Sequence, residues 1–342
     1  MIESISIQGL RGILEGELNH LPPLGVLIGP NGCGKSTVLE AMALATAPDV
    51  GDLVGRCVRR RMEVHSGAKF LFRVSPEDSP SPSRITATVS EFGTLETRLQ
   101  LRREPLPGSE EGAGFGIHIE VARSELGRER VCAVGFTPKN EYKINGSRAP
   151  RGAKSQPFVR FLDQRIGTPR QSLVEVLGYN RARGGKGQAE QHVRELLPDL
   201  TVIEILTSEG SLEPFVNLTF PNRSIPVALS GDGMESLVRL ALELSGATKG
   251  IYLIEEPEAH QHIAAMARSA KIIASAVKSG SQVILSTHSL EFLDLLIDAL
   301  GEAHVNKLGV LRLALRDGKL FSVHHQGEDV RVARATVEMD LR

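Results

Sequence analysis

The pattern of apolar and polar positions divides the chain into three regimes. At the start, Ile2, Ile5, Ile7 and Leu10 are spaced as in a short edge strand, and Ile13 to Leu18 reads as a second. Gly25 to Ile28 is an unbroken apolar run closed by a glycine loop, which predicts a buried central strand. A helix is predicted to begin at Lys35, with Val38, Leu39, Met42 and Leu44 among alanines and Pro48 as its stop. From about residue 51 the texture changes to short strand-like pieces, KFLFRV, RITATVS, LETRLQL, FGIHIEV and RVCAVGF, parted by turn-rich segments; QSLVEVLGY and AEQHVRELL then look helical.

From residue 225 strands and helices alternate. SIPVALS leads to a helix over MESLVRLALEL, and GIYLIEE is a near-continuous apolar strand. A helix over QHIAAMARSAKIIASAVKSG precedes a second apolar strand, SQVILSTHS. The amphipathic EFLDLLIDAL and a hairpin around Asp317 and Gly318 follow. Such alternation makes a mostly parallel sheet flanked by helices. The predicted fold class is therefore α/β of the P-loop NTPase type. Residues 1–50 and 225–342 form its core, and residues 51–224 form an inserted β-rich and helical lobe.

Composition narrows the class. The chain has 342 residues, 41% of them hydrophobic, enough for a real core. With 40 basic against 41 acidic residues it is no dedicated polyanion binder, although a local basic face is compatible with that balance. Cys33, Cys57 and Cys132 are odd in number and far apart, so no disulfide framework or zinc site is indicated. No apolar run nears the ~20 residues of a membrane span, and the N-terminus lacks the build of a signal peptide. A cytoplasmic protein without a membrane partner is expected.

The chemistry begins at LIGPNGCGKST, residues 27–37. Gly29, Pro30, Asn31, Gly32, Cys33, Gly34, Lys35 and Ser36 fit the pattern G-x-x-x-x-G-K-[ST], with Thr37 behind them. Glycines let successive backbone N–H groups face a phosphate at a helix N-terminus. Lys35 would reach the β- and γ-phosphates of ATP, and Ser36 would ligate Mg²⁺; Cys33 reads as a small filler of the loop. At the end of the apolar strand Ile251–Ile254, Glu255 would hold the magnesium through water, and Glu256 would orient or deprotonate the attacking water. Ser230, Gly231 and Gly233 open a helix that presents a further anion-binding N-terminus. His288, at another strand end, falls where a γ-phosphate sensor is needed.

These four elements, in this order, resemble the ABC-type ATPase heads of the RecF, SMC and OLD-like families. LSGDG resembles the ABC signature, LIEEPEAHQH the Walker B with its D-loop, and STHS the switch histidine. The EEPE run and the terminal VEMDLR point to the OLD-like ATPases of genome maintenance and phage defence. The resemblance implies a homodimer, or a higher oligomer, in which two heads sandwich two ATP molecules. Ser230 and Gly231 would then contact the γ-phosphate held by the partner's loop. ATP binding would close the dimer and hydrolysis would release it.

Departures from the family pattern are visible. Gly231-Asp232-Gly233 replaces Gly-Gly-Gln, Glu255 stands for the usual Asp, and His262 for the D-loop Asp. The spacing Glu258-x-His260-x-His262 on a helix would point its side chains apart, so zinc is not expected there. For the Q-loop glutamine, Gln100, Gln156 and Gln164 all stand as candidates. No heptad arm is present, and no Toprim nuclease follows, so an effector such as a nuclease is expected as a separate protein.

DNA is a candidate partner through Arg56, Arg59, Arg60 and Arg61, through Arg148, Arg151, Lys154, Arg160, Arg165 and Arg170, and through Arg181, Arg183 and Lys186. Two other classes share the glycine loop. A transporter's nucleotide-binding subunit is disfavoured by the absence of an aromatic before the loop and by the large β-rich middle. The other is a scaffold that binds ATP without hydrolysing it.

Overall fold

A computed structural model describes residues 1–59, 67–73, 81–105, 115–125, 128–137, 139, 141–146, 157–163, 172–207, 213–246 and 249–337. Strands β1 (Ile2–Leu10), β2 (Ile13–Leu18) and β3 (Leu24–Ile28) lead through the glycine loop into helix α1 (Lys35–Thr46) and then α2 (Val50–Arg59). An antiparallel run follows: β4 (Ser83–Val89), β5 (Gly93–Pro105), β6 (Phe115–Glu125), β7 (Arg128–Phe136) and β8 (Tyr142–Gly146). Next come β9 (Val159–Leu162), α3 (Leu173–Ala182) and α4 (Lys186–Arg194), and a separate sheet of β10 (Val202–Thr207), β11 (Pro214–Phe220) and β12 (Arg223–Pro226). The C-terminal stretch holds α5 (Asp232–Leu244), β13 (Ile251–Glu255), α6 (Ile263–Lys278), β14 (Gln282–Ser286) and α7 (Leu290–Leu300). Strands β15 (Leu308–Arg316) and β16 (Lys319–Gln326) and helix α8 (Gly327–Val337) complete it.

Thirteen strands form one sheet in the order β8-β7-β6-β5-β4-β1-β2-β16-β15-β3-β14-β13-β9. The strands β15, β3, β14, β13 and β9 are mutually parallel. The first and last stretches of the chain share this sheet, as the alternating pattern predicts. The middle stretch continues it at both edges, through β4 beside β1 and β9 beside β13.

Side-chain alternation explains why the central strands read as unbroken apolar runs. Tyr252 and Ile254 of β13 enter one core with α5, α6 and α7, while Ile251 and Leu253 enter the other with α1 and α2. Val283 and Leu285 against Ile284 divide in the same way. The first strand is pinned by Gln282, fully buried, whose Oε1 accepts from the Ile2 N–H at 2.6 Å and whose Nε2 donates to the Ile2 and Pro22 carbonyls at 2.9 and 3.1 Å.

Two local expectations fail. KFLFRV is not a strand over its described residues, 69–73. Gly67–Leu71 is a 3-10 turn packed beside α2, and among the described residues only Phe72 of this segment bridges to Leu10. SIPVALS is strand only to Pro226, after which Val227–Leu229 forms a 3-10 turn.

Candidate functional site

The glycine loop joins β3 to α1, and its shape follows from crowding. Gly29, Gly32 and Gly34 have φ of 138°, 79° and 98°. A Cβ at Gly29 would lie 2.5 Å from the Leu313 carbonyl oxygen and 2.9 Å from Cys33 Sγ, so only glycine fits. Cys33 is buried against this point. Lys35 is buried too, its Nζ donating to the Gly29 carbonyl at 2.7 Å and the Pro30 carbonyl at 3.1 Å and lying 3.9 Å from Cys33 Sγ. Burial pulls the Lys35 pKa down, opposed by Cys33 and Glu256. Asn31 and Gly32 are exposed, Ser36 is half-buried and Thr37 is buried.

The β14 strand lies between β3 and β13, so the glycine loop, Thr287-His288 and Glu255-Glu256 all emerge at the carboxyl ends of neighbouring parallel strands. Glu255 is buried, in register with Ser286, whose buried Oγ has no hydrogen-bond partner among the described residues. Glu256 adopts φ 45°, an uncommon left-handed conformation for a residue with a side chain, while its N–H donates to the Ser286 carbonyl at 3.0 Å. Its Oε1 lies 3.5 Å from His288 Nε2.

The segment Glu258 to His262 is turn and extended chain before α6, not helix as the zinc argument assumed. Pro257 follows Glu256 directly, and the left-handed His260 (φ 62°) keeps the chain from continuing as a helix. His262 instead caps α6, its Nδ1 accepting from the Ala264 N–H at 3.5 Å.

Glu258 accepts from the Thr287 hydroxyl at 2.5 Å and from the His288 N–H at 3.2 Å, both at Oε1. Burial raises its pKa, and those two hydrogen bonds oppose the rise. Sequence reasoning gave Glu258 no task in the site, since nothing in EEPE or STHS marks the contact between them.

Ser230 is not the cap of α5. Its hydroxyl donates to the Val227 carbonyl at 2.6 Å, closing the preceding 3-10 turn, and Gly231 takes the cap position with φ 90° and no side-chain bond. A Cβ on Gly231 would meet nothing within 4 Å, whereas one on Gly233 would lie 2.5 Å from the His260 carbonyl oxygen. Gly233 therefore lets the start of α5 press against the turn after Glu256, and Leu229 beside it is 73% exposed.

Of the other predicted positions, Gln100 lies in β5 opposite Glu120, away from the strand ends that carry Glu256 and His288. Gln156 and Gln164 lie outside the described residues, as do Arg60, Arg61, Arg148, Arg151, Lys154, Arg165, Arg170 and the end of VEMDLR. Arg56 pairs with Asp52 at 3.0 Å, Arg160 with Glu243 at 3.5 Å and Lys186 with Glu190 at 3.5 Å. Arg183 stacks on Tyr179 at 3.8 Å from the ring centroid. The parallel neighbour of β13 at its far side, β9, was not foreseen. Leu162 at its end faces a cleft shared with Ser236, Arg239, Ile254 and Pro257, which joins the signature-like helix to the Glu255 strand. Its four half-buried residues carry no distinctive pattern.

The oxygen donors suit a hard cation: the Ser36 hydroxyl, the Glu255 carboxylate and the Ser286 hydroxyl, which has no hydrogen-bond partner among the described residues, across the strand pair. The curled loop ahead of α1 suits a polyphosphate.

Known proteins agree with this architecture. A family described as an AAA ATPase domain matches residues 173–293, and one described as an AAA domain matches residues 4–87. An uncharacterised protein of Methanocaldococcus jannaschii, MJECL11, is 35% identical over 117 residues, which is 33% of this chain and 98% of that protein. The DNA double-strand break repair Rad50 ATPase of Methanopyrus kandleri is 48% identical over 48 residues, 14% of this chain and 6% of its own length.

Among solved structures, an SMC head bound to the C-winged helix domain of ScpA aligns at TM-score 0.55 and 14% identity, over 96% of this chain and 99% of that one. An SMC head with an extended coiled coil, bound to the C-terminal domain of ScpA derived from Pyrococcus furiosus, aligns at 0.53 and 14%, over 99% of each. Fold and motifs together define a P-loop ATPase head. The two partial family matches and the SMC-head fold support an ABC-type ATPase head like those of the RecF and SMC group.

Proposed function

We propose that the protein binds and hydrolyses ATP and works as a dimerising switch in DNA maintenance or phage defence, governing a separate effector protein. The reading rests above all on Glu256 facing His288 at 3.5 Å beside the mouth of the glycine loop. In it, the backbone of Gly29 to Gly34 and Lys35 cradle the phosphates, with Asn31, Cys33 and Thr37 lining the loop. Ser36 and Glu255 would hold Mg²⁺, which would supply neutralisation of the phosphate charge.

Glu256 orients a water for attack on the γ-phosphorus and takes up its proton, and the P–O bond to the ADP leaving group breaks. His288 contacts the γ-phosphoryl oxygens. Ser230, Gly231 and Gly233 of a second copy meet the same phosphate from across the dimer, which fits the open space around Gly231. The effector is a separate protein partner, for which the ScpA domain carried by the similar SMC heads is the precedent.

Steady-state ATP hydrolysis with and without double-stranded DNA tests this, beside Lys35→Ala and Glu256→Gln. The expected outcome is turnover that both substitutions lower at least about 100-fold, with DNA stimulating the wild type. ATP binding without turnover in any condition would replace the hydrolytic switch by an ATP-held scaffold.

A further inference from the structure

The run Glu255-Glu256-Pro257-Glu258 holds one acid that the nucleotide chemistry leaves without a task. Glu258 stands after the left-handed Glu256, in the turn that leads to α6. One of its carboxylate oxygens, Oε1, accepts two hydrogen bonds from the switch loop: the Thr287 hydroxyl at 2.5 Å and the His288 N–H at 3.2 Å. The other, Oε2, is buried with no hydrogen-bond partner among the described residues. A carboxylate on a solvated turn would face water with both oxygens; this one turns a loaded oxygen to the neighbouring strand end and buries the other.

Thr287 is the pivot of that contact. It is buried, its N–H donates to the Leu27 carbonyl of β3 at 3.1 Å, and its hydroxyl oxygen accepts from the Ser289 N–H at 2.9 Å while donating to Glu258. The backbone of residues 287–289 is thereby tied on one side to the strand that feeds the glycine loop. On the other side it is tied to the turn behind Glu256. The imidazole of His288, half exposed, lies with its Nε2 3.5 Å from Glu256 Oε1. Where the side chain points is set chiefly by the backbone that carries it.

We propose that Glu258 is a positioning residue, which holds the Thr287-His288 loop in register so that the His288 imidazole meets Glu256 and the transferring phosphoryl group. The inference rests on the ATPase reading above and deepens it. It makes the two acids of this turn unlike in role: Glu256 touches the reacting water, and Glu258 acts only through His288. The acceptor at Oε1 matters and the full negative charge does not, because Oε2 meets no donor among the described residues. Glutamine, with its carbonyl oxygen at the Oε1 place, therefore keeps the function, whereas alanine removes it.

The test is a double-mutant cycle in kcat, with ATP affinity measured in parallel, on Glu258→Ala, His288→Ala and the double variant. Glu258→Ala is expected to lower kcat about 10- to 100-fold, as for leaving buried donors unsatisfied, while ATP affinity stays within about 3-fold. In the His288→Ala background the same change adds less than about 2-fold, since its target is gone. Glu258→Gln recovers most of the loss. Equal costs in both backgrounds, or a glutamine variant as poor as alanine, would overturn the proposal.

Should Glu258→Ala fail to fold, Thr287→Val against Thr287→Ser carries the same comparison, with only serine keeping the hydroxyl. Hydrogen exchange of the His288 amide is read in the same variants. It is expected to be faster in Glu258→Ala than in the wild type and in Glu258→Gln, and equal rates in all three would sink the inference whether or not ATP turns over. An absence of wild-type turnover would count against hydrolysis alone.

Discussion

Glu256 shows most plainly how a side chain with a task overrides what its backbone prefers. An L-residue in the left-handed region costs about 1–2 kcal/mol relative to the ordinary helical or extended forms, and nothing in Glu relieves it as Asn or Gly would. The strain holds because the Glu256 N–H is tied to Ser286 and Pro257 fixes the next residue. Glu256→Gly should accordingly abolish turnover yet leave the fold no weaker, gaining up to about 1 kcal/mol in a denaturant midpoint. Its exposed contact to His288 contributes little to stability. A loss of more than about 1 kcal/mol would mean that the carboxylate, not the chemistry, was holding this turn. At this scale the sequence was informative where chemistry has a local spelling: Gly29 to Ser36, and the acids that end an apolar run. It was silent on Glu256's conformation and on the Glu258–Thr287 bond, because both depend on how two strand ends lie side by side.

Elements were legible where one period ran long enough to stand alone, as in α5 or the paired apolar strands β13 and β14. They failed where tertiary packing outvoted composition: KFLFRV has strand-forming residues and opens as a 3-10 turn, and β9 is too short to announce itself. Helix α4 adds a feature no pattern carries. His192 sits in its last turn near Arg268, and burial first, then that guanidinium, lower its pKa, with Glu195 opposing. Its Nδ1 is buried without a partner among the described residues.

The unfolded chain binds a proton on this histidine near pH 6.5 while the folded protein binds it only at lower pH. Between those values the unfolded state holds more protons, so stability rises with pH there. The contribution is therefore complete above pH 6.5 and is lost as the pH falls below it. His192→Gln should make the unfolding midpoint less steeply dependent on pH just below 6.5, with ATP turnover unaltered. An unchanged slope would show that His192 takes up its proton as readily folded as unfolded.

On the scale of the whole molecule, the sheet carries the functional loops at one end and reaches outward through β4 to β8 at the other edge. That the two ends of the chain share a sheet could be read from alternation alone; the joining of the middle stretch to both of its edges could not, since pairing partners leave no trace in a single strand's pattern. The face bearing Ser230 is open in one copy: a Cβ on Gly231 would meet nothing within 4 Å among the described residues, and Leu229 leaves 73% of its surface to solvent.

A large apolar side chain beside a motif expected to meet phosphate suits burial by a second copy once ATP is bound. Leu229→Asp tests that dimer without touching the glycine loop. An exposed site tolerates the change within about 0.5 kcal/mol, so the monomer should fold and bind ATP as before. A carboxylate forced into a closing interface, however, is buried unpaired or meets the phosphate's own charge, and either is strongly unfavourable. In a Glu256→Gln background, where ATP persists, light scattering should show a dimer with ATP and a monomer without it. Adding Leu229→Asp should leave the monomer in both, with ATP affinity for the single head unchanged. A dimer that forms equally well with aspartate at this position would mean that the two heads meet through another face, and that Ser230 and Gly231 do not reach across to a partner's phosphate.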